Sequence, residues 1–133
     1  MIVSLDQVKK QWCTHAQYNK GIVVDASSMS DGKANTDKVM SRSDSAEYSA
    51  FEWCRAKGND WYLPAIDELK LLYSVRDTIN STLKERGGNT LSGWCWSSTE
   101  YENISAWNVV MDYGYTFHGN KTHDNCVRAV SAF

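Results

Sequence analysis

Proline is almost absent from this chain, with Pro64 its only example, which excludes polyproline segments and stiff proline-rich linkers. Long apolar runs are missing as well. No stretch approaches the roughly 20 consecutive apolar residues of a membrane-spanning helix. The N-terminal "MIVSLDQVKKQW" has neither a basic segment leading into a long apolar run nor a cleavage site. The sequence therefore predicts a soluble protein without a signal peptide and without membrane insertion.

Charge of one sign is also lacking. Fourteen Lys and Arg against sixteen Asp and Glu leave a formal net charge of -2, with the two signs mixed along the chain. There is no basic field to attract nucleic acid, which is not expected as a partner. The four cysteines, Cys13, Cys54, Cys95 and Cys126, lack CxxC spacing, which argues against a zinc ribbon or a thioredoxin-type motif. Reduced thiols are the first expectation, and the even count leaves disulfides open.

What is present is an apolar fraction of 42% over 133 residues and a heavy aromatic load of six Trp, seven Tyr and three Phe. That is enough for one core, and a single domain over 1–133 is expected. Some aromatics must be core, and the rest are available for recognition.

Short β-branched runs predict strands over 2–5 and 21–24, and the polar "SSMSDGKANTD" over 27–37 predicts a surface loop. Ala46, Ala50, Phe51 and Cys54 fall at helical spacing, with Ser45 placed to cap and Gly58 to end a first helix. Pro64 holds 61–64 extended. In a second helix Ile66, Leu69, Leu72 and Tyr73 share a face, with Asp67 and Glu68 in the first turn. A break over 74–77 gives a second piece lined by Ile79 and Leu83, and Gly87-Gly88 stops it.

After Gly88 the period changes to two. Strands are predicted over 94–98, 106–113, 115–119 and 126–133. Trp94 and Trp96 fall on one face, Trp107, Val109 and Met111 on one face, and Val127, Ala129 and Ser131 on another. The expected fold class is α+β, two main helices packed on a small, twisted, mostly antiparallel sheet.

Three stretches in order, "WYLPAIDELKLLY" at 61–73, "GWCWSSTEY" at 93–101 followed by "AW" at 106–107, and "VRAVSAF" at 127–133, together resemble a family of C-type-lectin-like domains. The variant concerned is the formylglycine-generating-enzyme-like type. It includes variable proteins of diversity-generating retroelements from gut bacteria and their phages. The match is good over 58–133 and loose before it, and a strand often precedes this starting point in related chains. The resemblance implies a C-type-lectin-like fold and a non-enzymatic, receptor or adhesion domain whose variable segment, about 101–126, binds a protein or glycan on a cell surface. It places the chain in the cytoplasm before assembly or on display at a phage or cell surface.

The same resemblance implies ligand contact by Tyr101, Asn103, Ile104, Asn108, Asp112, Tyr113, Tyr115, Phe117, His118, Asn120, Thr122, His123, Asp124 and Asn125. In retroelement-diversified members template adenines are replaced, so an Asn codon can become any codon ending in C or T. Lys, Glu, Gln, Met and Trp cannot arise that way. Between Asp112 and Cys126 only Lys121 lies outside the reachable set. A surface of Tyr, Asn, Ser, Gly and Asp also has the composition of antibody paratopes, where Tyr gives contact area at low entropy cost.

The competing readings are plainer. Tyr113, Tyr115 and Phe117 could alternate into the core. His118, His123, Asp112 and Asp124 could hold a metal, although their spacing matches no known motif, and neither metal nor cofactor is expected. Calcium-mediated sugar binding is doubtful, because no Glu-Pro-Asn is present and "WNV" at Trp107 lacks an acid. Enzymatic relatives use reactive cysteines, and Cys95 and Cys126 lie on neighbouring segments, yet catalysis is not expected. The lectin-like resemblance also offers a Cys54–Cys126 bridge, and Cys126 could itself be a product of diversification. Trp61, Trp94, Trp96 and Trp107 read as core and frame, Glu68 as serving the helix start, and Arg128 as a partner for Glu100. A structural or assembly module of a bacterial surface or phage structure is the second functional class.

Overall fold

The period-two pattern after Gly88 builds most of a five-stranded sheet, and the helical patterns before it supply the layers that cover both of its faces. The computed structural model describes residues 1–131. In chain order these are β1 (Ile2–Val3), β2 (Val8–Lys10), α1 (His15–Asn19), α2 (Gly32–Met40), a 3-10 turn (Ser45–Glu47) running into α3 (Ser49–Arg55), and β3 (Trp61–Tyr62). Then come α4 (Ile66–Ser74), α5 (Arg76–Glu85), β4 (Trp94–Glu100), β5 (Ser105–Val110), β6 (Thr116–Asn120), β7 (Asn125–Val127) and β8 (Val130–Ser131). The class is α+β, with one sheet ordered β2-β7-β4-β5-β6 and another ordered β1-β8-β3. All pairings are antiparallel except β4 with β7.

Alternation along β4 and β5 divides the core in two. Cys95 and Val109 face α4 and α5, joining Ile66, Leu69, Leu72, Leu83 and Met111. Trp96 and Ala106 face the other way, into a cluster with Trp12, Tyr48, Phe51 and Val39. The rings of Trp12 and Phe51 meet edge to face at 4.9 Å. Each buried indole finds a backbone acceptor, Trp12 Nε1 donating to the Ser97 carbonyl at 2.9 Å and Trp96 Nε1 to that of Lys10 at 3.1 Å.

Several expectations require correction. Residues 21–24 form no strand. The N–H groups of Val24 and Asp25 donate instead to the Glu100 carboxylate, each at 3.0 Å. The polar stretch 27–37 is not a loop throughout, because α2 begins inside it with Asp31 as N-cap, its Oδ1 accepting from Ala34 N–H at 2.9 Å. The buried side of α2 is Gly32, Asn35, Thr36 and Val39, a helical spacing carried by small and polar residues. Asn35 is satisfied by Ser28 and Ser98, and Thr36 by Leu63.

The first predicted helix is broken at Tyr48, whose ψ of 76° is non-helical; Asp44, not Ser45, precedes its opening turn, and Ala46 is exposed. The predicted strand 126–133 splits into β7 and β8, which join different sheets, and its last two positions lie outside the described residues. The break before Val75 separates α4 from α5 where expected.

The charged frame also differs from expectation. Glu100 pairs with Lys121 at 2.7 Å, their side chains only 4% and 2% exposed. The Lys121 ammonium sits 4.6 Å from the Trp12 ring centroid. Arg128 does not reach Glu100. It donates to the carbonyls of Ser4 at 2.7 Å and Asn89 at 2.6 Å and to Gln7 Oε1 at 3.1 Å, fastening the N-terminal strands and the loop after α5 to the last strands. Glu68 does serve the helix start, accepting from Ala65 N–H at 3.0 Å. It also accepts from Gly32 N–H at 2.8 Å and from the Tyr62 hydroxyl at 2.9 Å.

Candidate functional site

The candidate site is built on β6, the edge strand of the five-stranded sheet, and on the turn that leads into it. β5 and β6 pair with Trp107 opposite His118 and Asn108 opposite Phe117. Tyr115 C=O accepts from Val110 N–H and Lys121 N–H donates to Ile104 C=O. By alternation Phe117 and Gly119 therefore carry the ladder, and the backbone groups of Thr116 and His118 turn outward along the open edge. The turn is held from below. Gly114 has φ of 85°, and a Cβ there would lie 2.4 Å from the Tyr73 ring of α4, so this position requires glycine.

Tyr113, Tyr115 and Phe117 do not alternate into the core, being 69%, 62% and 44% exposed. Tyr101, Asn103, Ile104, Asp112, His118, His123 and Asp124 are exposed too, while Asn120, Thr122 and Asn125 are half-buried. Asn120 is partly structural. Its Oδ1 accepts from the N–H and hydroxyl of Thr122 at 2.8 and 2.7 Å, and its Nδ2 donates to the Tyr18 hydroxyl at 3.2 Å. Asp112 Oδ2 accepts from Gly93 N–H at 3.2 Å.

Aromatic rings occupy both sides of β6. On one side Phe117 stacks on Trp94 with centroids 5.0 Å apart, and Tyr115 follows at 6.5 Å. On the other His118 stacks on Tyr101 at 3.9 Å, and both meet the edge of Trp107. Trp94 corrects the reading of that residue as frame, since it is 48% exposed. The missed signal was its position at the end of β4, beyond the reach of the helices that cover Trp96.

Asn108 departs from the other candidates. It is 1% exposed and forms the floor of an open depression of about 550 Å³ walled by Trp94, Phe117, Gly119, His123 and Asn125. Its Oδ1 has no hydrogen-bond partner among the described residues. That oxygen is closed to solvent, so its unmet bond is a cost carried by the fold and not a contact open to a ligand. A larger cavity, about 760 Å³, lies between β1 and α5 among Ile2, Leu5, Leu83 and Arg86; its mainly aliphatic walls offer shape but few convergent polar groups.

Among the described residues no three His, Cys, Asp or Glu side chains converge to hold a metal ion, the set His118, His123, Asp112 and Asp124 included. All four cysteines are free and buried, so the Cys54–Cys126 bridge is not formed. The neighbour of Cys126 is Cys95, its register partner across the parallel β4–β7 pair. The Cys95 thiol donates to the Ser92 carbonyl at 3.6 Å; its proximity lowers the pKa of Cys126, helped by Lys9, while the same pairing and burial raise Cys95.

A family model described as the Lcl C-terminal domain matches residues 5–131. Among solved structures, a fimbrial protein from Bacteroides ovatus ATCC 8483 is similar, with a TM-score of 0.72 at 19% sequence identity. The similarity covers 96% of this chain and 34% of that one, so the chain spans about a third of the fimbrial protein's length. At that identity the likeness speaks for the fold alone. No curated protein matches the chain.

Proposed function

The chain belongs to the Lcl C-terminal domain family, and from that premise we propose that it is a non-enzymatic recognition module of surface or adhesion type. In this reading it is a C-type-lectin-like domain of the formylglycine-generating-enzyme-like type that binds a protein or glycan of a cell surface through β6 and its flanking turns. The observation that carries it is the exposed aromatic face of β6, where Trp94 and Phe117 border the depression and Tyr115 follows them. A ligand that packs on the outward faces of these rings gains apolar burial that the free protein leaves to water. The similarity in fold to a fimbrial protein agrees with a surface role.

The test is an array of immobilised cell-surface glycans and proteins probed with the domain and with Trp94→Ala and Phe117→Ala. Binding by the native chain that falls roughly tenfold or more in both variants, with folding intact, is the expected outcome. Signals unaffected by either substitution, or no signal at all, count against the site.

Diversification by a retroelement is the finer part of the proposal. Lys121, which that route cannot create, is buried and ion-paired, whereas the reachable Tyr113, Tyr115, Phe117 and His118 are exposed. Sequencing this segment and its flanking DNA in many isolates is expected to find differences at the exposed positions, traceable to adenines in a template repeat. An invariant segment without a repeat would remove this part and leave a fixed surface.

The open edge of β6 favours one second reading, an assembly module in which this strand meets another subunit. Sedimentation separates the two, because a monomer whose mass does not change with concentration speaks against assembly between copies.

A further inference from the structure

Cys95 and Cys126 are opposite one another across the parallel β4–β7 pair. Neighbouring strands lie about 4.8 Å apart, inside the roughly 4.4–6.8 Å between Cα atoms that a disulfide accepts. Register partners also present their side chains on the same face. Cys126 is 7% exposed and lines a shallow pocket of about 270 Å³ with Gln7, Lys9, Asn89 and Ser92. Gly93 keeps its sulfur accessible, since a Cβ there would come within 3.1 Å of Sγ. The other two thiols are enclosed in the core, Cys13 at 2% and Cys54 at 0% exposure. Every candidate residue of the exposed face, from Tyr101 to Asn125, lies between Cys95 and Cys126 in sequence.

We propose that Cys126 and Cys95 form a thiol–disulfide exchange site for small disulfides, and that its product is an intrachain Cys95–Cys126 bond closing the base of the segment that carries the exposed face. The Cys126 thiolate attacks one sulfur of the small disulfide, forming a mixed disulfide and releasing one small thiolate. Cys95 gives its proton to solvent, its sulfur attacks Cys126 Sγ, and the second small thiolate leaves. The protein dithiol is oxidised by two electrons, and the small disulfide is reduced to two thiols. The adjacent Cys95 thiol and the nearby Lys9 ammonium favour Cys126 as the attacking thiolate. Burial pushes Cys13 up to about 11 and raises Cys54 as well, so both stay unreactive in the folded chain.

The experiment treats the folded chain with stoichiometric dithionitrobenzoate, follows thionitrobenzoate release by stopped flow, and maps the product by mass spectrometry. Two equivalents per chain in the fast phase are expected, with no retained adduct, a loss of two hydrogens and joined peptides containing Cys95 and Cys126. Cys95→Ser is expected to release one equivalent and keep the adduct on Cys126. Cys126→Ser is expected to slow the fast phase by roughly tenfold or more. Circular dichroism checks both variants, and if either fails to fold the native peptide map decides alone. A map that places adducts on Cys13 or Cys54, or finds no Cys95–Cys126 link, overturns the proposal.

Discussion

At the scale of single residues, the pair of Glu100 and Lys121 shows how charge is used in the frame. Both side chains are almost fully buried, and the Glu100 carboxylate also takes the N–H groups of Val24 and Asp25. Removing one partner strands the other charge out of water, so Lys121→Met is expected to cost about 3–5 kcal/mol in chemical denaturation. Adding Glu100→Gln to Lys121→Met is expected to recover part of that loss, because the amide oxygen still accepts one backbone N–H. At the surface, the Arg42 guanidinium, bonded at 2.8 and 3.0 Å, holds Asp44 below the usual carboxylate value. A carboxylate so depressed stabilises the fold fully above its unfolded value of about 3.9 and loses that contribution as pH falls through the folded value. Asp44→Asn is therefore expected to lower stability by under about 1 kcal/mol near neutrality, the pair being partly exposed, and the deficit is expected to vanish in acid.

At the scale of elements, the turn between β5 and β6 rests on Tyr73 of α4, where Gly114 leaves room for the ring. Gly114→Ala is expected to destabilise by about 1–3 kcal/mol and to weaken binding at the face without removing any contact side chain. Asn120→Ala is expected to cost about 1 kcal/mol, since it releases the Thr122 N–H and hydroxyl and the Tyr18 hydroxyl. Thermal unfolding of the two variants measures both costs. Elements with apolar faces were legible in the sequence. The spacing of Ile66, Leu69 and Leu72 placed α4, and the alternation through Trp107, Val109 and Met111 placed β5. Helix α2 was not legible, because its inner side satisfies hydrogen bonds through Asn35 and Thr36 instead of burying aliphatic groups. Nor was the irregular path of 21–24, which depends on a carboxylate far along the chain.

At the scale of the whole molecule, the chain separates into a frame that spends its side chains on packing and a face that leaves them outside. Trp12, Trp96, Glu100, Lys121 and Arg128 are buried, while Tyr113, Tyr115, Phe117 and His118 are exposed. Composition and the fold resemblance pointed to the region of that face. They do not decide which positions along β4 and β5 are covered, so Trp94 reads as frame and Asn108 as surface, and the structure reverses both. Alternation gives the parity of side chains, and only the sheet order and the position of the helices turn parity into exposure. The central claim is that the aromatic face serves recognition and not the fold. Its most direct test is the Tm of a variant with Tyr113, Tyr115, Phe117 and His118 all replaced by Ala. Cooperative unfolding within about 5 °C of the native chain is predicted, since exposed substitutions cost little each. A fall of more than about 10 °C, or loss of the cooperative transition, would mean that these rings hold the fold together and would contradict the claim.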